Sequence, residues 1–162
     1  MRGAAVAAGL LLAVLAFALA FMPRRVAVMS VFIAAIVAIA TAAISSVGVD
    51  LAFAGCWISL ILTAGLVYWP NVARGSTRVA GPVLAANAAL WAGSVVATEG
   101  SAATMLTVVP VLLLVLPAAW CNARGWTIAP RVVTSWLLAV ALLVGAIPHL
   151  VVHPGYQPDH ML

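Results

Sequence analysis

Apolar residues in this chain come in six long blocks, and charged residues gather almost entirely in the short gaps between them. The blocks run over about residues 3–22, 26–44, 51–70, 79–98, 102–120 and 131–152. A helix rises 1.5 Å per residue and the hydrocarbon layer of a bilayer is about 30 Å thick, so roughly 20 apolar residues make one crossing. Each block is near that length. Runs such as Leu10-Leu11-Leu12-Ala13-Val14-Leu15 are continuously apolar. They do not alternate as the strands of a membrane barrel do. In lipid a helix satisfies its own backbone groups. The pattern therefore predicts an all-α, polytopic integral membrane protein: a bundle of six transmembrane helices in a single domain over 1–162.

Composition sharpens this reading. The chain of 162 residues is 67% hydrophobic and 6% charged, against about 25% charged in soluble domains. The spans consume nearly all of it, and no segment is left over for a soluble domain. The charge of +4 comes entirely from Arg, since there is no Lys. In a soluble protein this excess would raise the question of nucleic acid. Here the Arg lie in short loops and read as topology signals, so no nucleic-acid partner is expected. The partners implied are the lipid bilayer and other membrane subunits, or self-association.

The charges are sorted. Arg24 and Arg25, Arg74 and Arg78, and Arg124 and Arg131 fall in the first, third and fifth loops. Asp50, Glu99 and Asp159 fall in the second loop, the fourth loop and the tail. Cytoplasmic loops are enriched in Lys and Arg. The expected location is a bacterial inner membrane, with the Arg loops in the cytoplasm and both termini outside. Trp69, Trp120, Trp126 and Tyr68 flank the Arg loops, where amphipathic rings favour the headgroup zone. Arg2 dissents from the sorting. It raises a competing reading of residues 1–20 as a cleavable leader with Ala18-Leu19-Ala20 at its end, although the apolar run is longer than a usual signal core.

Loops three and five echo one another. Trp, Asn, Ala, Arg, Gly, Thr, Ala and Pro recur in order from Trp69 to Pro82 and from Trp120 to Pro130. The hairpins 51–98 and 102–152 read either as copies, as in parallel transporter repeats, or as two membrane turns with the same chemical needs.

Inside the spans, small residues recur every four positions: Gly81, Ala85, Ala89, Gly93 and Ala97 in span four, and Ser30, Ala34, Ala38, Ala42 and Ser46 in span two. Such rows let helix backbones approach closely. Asn87 sits near the middle of span four, with Trp91, Ser94 and Thr98 following at helical spacing. Trp57 in span three lies at a depth similar to that of Trp91. These residues are read either as an outward-facing ligand pocket lined by Asn87, Trp91 and Trp57, or as an interhelical hydrogen bond among bulky neighbours. Pro110 interrupts span five and is expected to kink it.

His149, His153 and His160 near the C-terminus are candidate metal ligands, and Pro148, Pro154 and Pro158 among them favour a solvated tail instead. Cys56 and Cys121 fall at opposite ends of their spans and are expected not to pair. No mid-span acid or base, phosphate-binding loop or nucleophile–base pair is legible. No cofactor and no catalytic residue is implied. The expected role is a small non-catalytic subunit or assembly partner of a membrane complex. The alternatives are a transporter or channel for a small uncharged or weakly polar solute, and a metal-handling or enzymatic protein using the His-bearing tail.

Overall fold

A computed structural model describes residues 3–68, 77–99 and 102–146. Among these residues every regular element is a helix. The elements are α1 (Ala4–Leu19), α2 (Arg24–Ile44), α3 (Val49–Tyr68), α4 (Thr77–Glu99), α5 (Ala102–Val108), the 3-10 segment η1 (Val109–Leu114), α6 (Val115–Ala123) and α7 (Ile128–Ala146). Five helical stretches are long and apolar enough to cross a membrane: α2, α3, α4, the continuous run α5–η1–α6, and α7.

The first block departs from expectation. Its helix stops at Leu19 and has 16 residues, about 24 Å at 1.5 Å per residue. The chain then turns through Ala20, Phe21 and Met22 into Pro23. Proline has no N–H to donate and disfavours helix in the residue before it. It thus separates α1 from α2 three residues sooner than the apolar run suggests. α1 is apolar on every side, and such a helix belongs inside a protein. From Leu11 to Leu19 every residue is buried. α3, α4 and η1 pack around it, with α5, α6 and α7 completing the shell. The segment also read as a leader thus forms the centre of the bundle.

The most extensive helix pair is α2 with α4. The two small-residue rows read from separate spans are the two faces of this one seam. Ser30, Ala34, Ala38 and Ala42 are buried on α2, and Ala85 and Ala89 on α4. A Cβ on Gly81 would meet Val26 Cγ1 at 2.7 Å and Ser30 Oγ at 3.1 Å. A Cβ on Gly93 would meet the Ala38 carbonyl oxygen at 2.6 Å and Thr41 Cβ at 2.8 Å. Gly81 faces Val26 and Ser30; twelve residues on, Gly93 faces Ala38 and Ala42, also twelve residues on. The helices therefore run parallel and keep register. The Ser45 hydroxyl donates to Ser94 Oγ at 3.2 Å beyond the end of α2. Ser46, the last residue of the expected α2 row, lies past the helix and is exposed. The opposite face of α2 carries exposed Val28, Met29, Phe32 and Ile36, a surface suited to lipid.

At Pro110 the structure shows a change of helix type rather than a measured bend. The proline occupies the first turn of η1, where a missing N–H is tolerated and the winding tightens from 3.6 to about 3.0 residues per turn. The first hairpin has two unbroken arms, whereas the second has its first arm rewound at η1. Residues 69–76, which carry the loop-three half of the echo, lie outside the described residues, as do Trp69 and Arg74.

The seam yields a stability prediction. Gly93→Ala should lower the unfolding midpoint in detergent micelles, at a cost of about 1–3 kcal/mol for overpacking. Gly65→Ala on α3, where a Cβ meets nothing within 4 Å, should be neutral or gain up to about 1 kcal/mol from helix propensity. Equal behaviour of the two variants would mean that α2 and α4 are not in contact at Gly93.

Candidate functional site

α4 presents two different faces. The Gly81–Gly93 row meets α2, and the row bearing Asn87 and Trp91 meets α3. The Asn87 side-chain amide donates to the hydroxyl of Ser59, which is buried on α3. Four residues further along α4, the Trp91 ring covers Gly55, four residues back along α3. A step up α4 is a step down α3, so this pair is antiparallel. A Cβ on Gly55 would fall within the indole; only glycine leaves room for Trp91 here. Ser94 is buried and receives the Ser45 hydrogen bond, while the Thr98 hydroxyl donates to the Val95 carbonyl of its own helix at 2.7 Å. The polar stripe on α4 thus faces protein for most of its length.

Trp57 points elsewhere. Residues 55 and 57 are about 200° apart around α3. Trp57 lies in a groove of about 280 Å³ against α7, lined also by Leu60, Leu138, Ala141 and Gly145. The structure brings Asn87 and Trp91 together along the α3–α4 contact and sends Trp57 to the α3–α7 contact. Equal depth in the sequence did not imply a shared side of the helix.

Asn87 is unusual in one respect. Its amide nitrogen is spent on Ser59, yet the residue is exposed at the bundle surface. Its carbonyl oxygen has no hydrogen-bond partner among the described residues. The residue stands ten positions after Thr77, about 15 Å along the helix, at the middle of α4.

A second polar grouping gathers at the end of the bundle that carries the Arg residues. The Asn122 side-chain amide donates to the Ala20 carbonyl at 3.1 Å, tying α6 to the end of α1. The Tyr68 hydroxyl donates to the Arg131 carbonyl at 3.1 Å, tying the end of α3 to the start of α7. Arg24, Arg25, Arg124 and Arg131 therefore share one end. Asp50 at the start of α3 and Glu99 at the end of α4 belong to the other. The Arg124 guanidinium lies 4.4 Å from the centre of the Trp120 ring. Trp120 and Trp126 meet edge to face at 6.1 Å. Gly125, at φ 79°, supplies the left-handed turn between α6 and α7. Asn122 was legible in the sequence only as a turn residue. Its tie to Ala20 spans 102 positions and no local pattern announces it.

No family model, curated protein or solved structure matches the chain. The site must be judged on its own chemistry. Among the described residues no group of three or more His, Cys, Asp or Glu is placed to hold a metal ion. His149, His153 and His160 lie outside the described residues. Cys56 is buried against the Ala7 carbonyl, and Cys121 is half-buried near the Arg-bearing end.

The fit of Trp91 to Gly55 can be measured. Gly55→Ala should displace the indole, shift its fluorescence and destabilise the fold by about 1–3 kcal/mol. In a Trp91→Leu background the same alanine should cost much less, so the double-mutant cycle should show coupling of about 0.5–3 kcal/mol. Additive effects would separate the two residues.

Proposed function

We propose that the chain is a small non-catalytic subunit or assembly partner within a larger complex of a bacterial inner membrane. The observation carrying this reading is Asn87. An amide carbonyl left without a donor in hydrocarbon costs on the order of 1–3 kcal/mol by protein measures and more on alkane scales. A neighbouring helix that donates to it removes that cost and gains an interhelical hydrogen bond of roughly 0.6–2 kcal/mol. On α4 itself Val79, Val83 and Leu90 are exposed beside Asn87 and offer room for such a neighbour.

In this reading the chain crosses the membrane six times, with α1 as the enclosed sixth span. The end bearing Arg24, Arg25, Arg124 and Arg131 faces the cytoplasm, by the positive-inside preference, and both termini face outward. A carrier for a small uncharged or weakly polar solute is the second reading. The rewound segment η1 favours it, since interrupted helices often line transport sites.

The complex should be visible by native mass spectrometry after gentle extraction, as a species heavier than the 16.6 kDa chain. Asn87→Leu should shift that species toward the free chain by about 3- to 30-fold, the equivalent of 0.6–2 kcal/mol. Ser59→Ala, which removes only the internal acceptor, should leave it assembled. A lone monodisperse monomer from the unaltered protein would refute the subunit reading. A solute uptake activity abolished by Asn87→Leu would favour the carrier.

Topology has its own test. In a chain whose native cysteines are replaced, Gly48→Cys should react with an impermeant thiol reagent added outside cells. Gly125→Cys should react only in inverted vesicles. The reverse pattern would overturn the orientation.

A further inference from the structure

At the Arg-bearing end a groove of about 640 Å³ opens between α2 and α6. Its size lies within the range of ordinary ligand sites, about 300–1,000 Å³. It exists because α2 and α6 do not pack on one another, and because small residues, Ala27, Ala119 and Ala123, line it where larger ones would close it. The floor is the end of α1, and the long walls are Val28, Val31, Phe32, Leu113 and Leu116. Val28, Phe32, Leu113 and Leu116 are exposed, so the groove faces the lipid-side surface.

The polarity of this groove runs in one direction. Arg24 and Asn122 lie at its mouth, and Phe32 lies eight residues further along α2, about 12 Å deeper. No acidic residue lines the groove, and Arg24 has no ion-pair partner among the described residues. Asn122 spends its amide nitrogen on Ala20, which leaves its carbonyl oxygen buried and without a donor. The site therefore asks for three things in sequence: an anion at Arg24, a hydroxyl or other donor at Asn122, and an aliphatic chain below. A free anion answers only the first, and a neutral lipid only the last.

We infer that this groove binds an anionic phospholipid whose headgroup carries hydroxyls, of which phosphatidylglycerol is the simplest. The phosphate meets the Arg24 guanidinium, whose planar donors suit phosphate oxygens. A headgroup hydroxyl donates to the Asn122 carbonyl oxygen, and one acyl chain lies along Val28, Phe32, Leu113 and Leu116. Basic pockets between transmembrane helices are a recognised setting for acidic headgroups. This inference does not depend on the subunit reading, because neither Asn87 nor the α3 face of α4 takes part.

The test is a lipid titration of the full chain in detergent, read by native mass spectrometry. Phosphatidylglycerol should be retained about five- to tenfold more strongly than phosphatidylcholine of the same chains. Arg24→Gln should remove that preference. Arg25→Gln, a neighbouring charge outside the groove, should retain it. Val28→Trp, a substitution at an exposed position, should fill the groove and reduce retention of both lipids with helicity unchanged. These lipid and Val28 measurements stand even if an Arg24 variant folds poorly. Equal retention of the two lipids would overturn the inference. So would an equal effect of Arg24→Gln and Arg25→Gln, which signals surface charge alone. Competition by inorganic phosphate at millimolar concentration, or a dimer of this chain that excludes lipid, would overturn it as well.

Discussion

The parallel contact between α2 and α4 is the constraint on which the rest of the bundle depends. In lipid no hydrophobic force drives two helices together, and close van der Waals packing must do it. That packing needs backbones near enough to touch, which only very small side chains allow. At Gly93 a single added methyl would strike a backbone oxygen of α2. Once α2 and α4 are locked in parallel register, the remaining face of α4 is available to α3, which runs antiparallel through Asn87–Ser59 and Trp91–Gly55. α1 is then enclosed by α3, α4 and η1. A helix with no polar face is well suited to that enclosed position.

Asn122 and Asn87 lie at different depths and do different jobs. At the Arg-bearing end, Asn122 and Tyr68 tie helix ends through backbone carbonyls, and Arg124 stacks on Trp120. In the proposed membrane setting these contacts sit where water and headgroups lower the cost of any unmet group. At mid-span Asn87 has no such relief. Half of its amide is met within the chain, and the residue is exposed. The difference in surroundings, rather than in residue type, marks Asn87 as a candidate contact for another helix and Asn122 as a candidate headgroup contact.

Much of the architecture was legible because lipid punishes polar groups so heavily. The helical blocks, the gathering of Arg at one end and the interruption at Pro110 follow from one-dimensional patterns. So did both small-residue rows, because helical spacing of four is visible in the sequence. Their pairing with each other was not, since a row of small residues states that something comes close without naming what. The same limit explains Trp57. Its depth could be counted along the helix, but its partner on α7 depended on where α7 packs. The early end of α1 was misjudged because apolar residues continue through the turn, and Pro23 decided the boundary.

By itself the sequence determined that the chain is helical, that most of its helices are long and apolar enough to cross a membrane, and which end of them carries the positive charge, because the transfer of backbone and charged groups into oil dominates all local preferences. Only the tertiary structure decided that α1 is enclosed by the other helices, that α2 and α4 share one seam, that Trp91 and Trp57 part company, and that Arg24 and Asn122 line one groove. Those outcomes depend on shape complementarity between segments far apart in the chain, and steric fit has no signature along a single strand of residues.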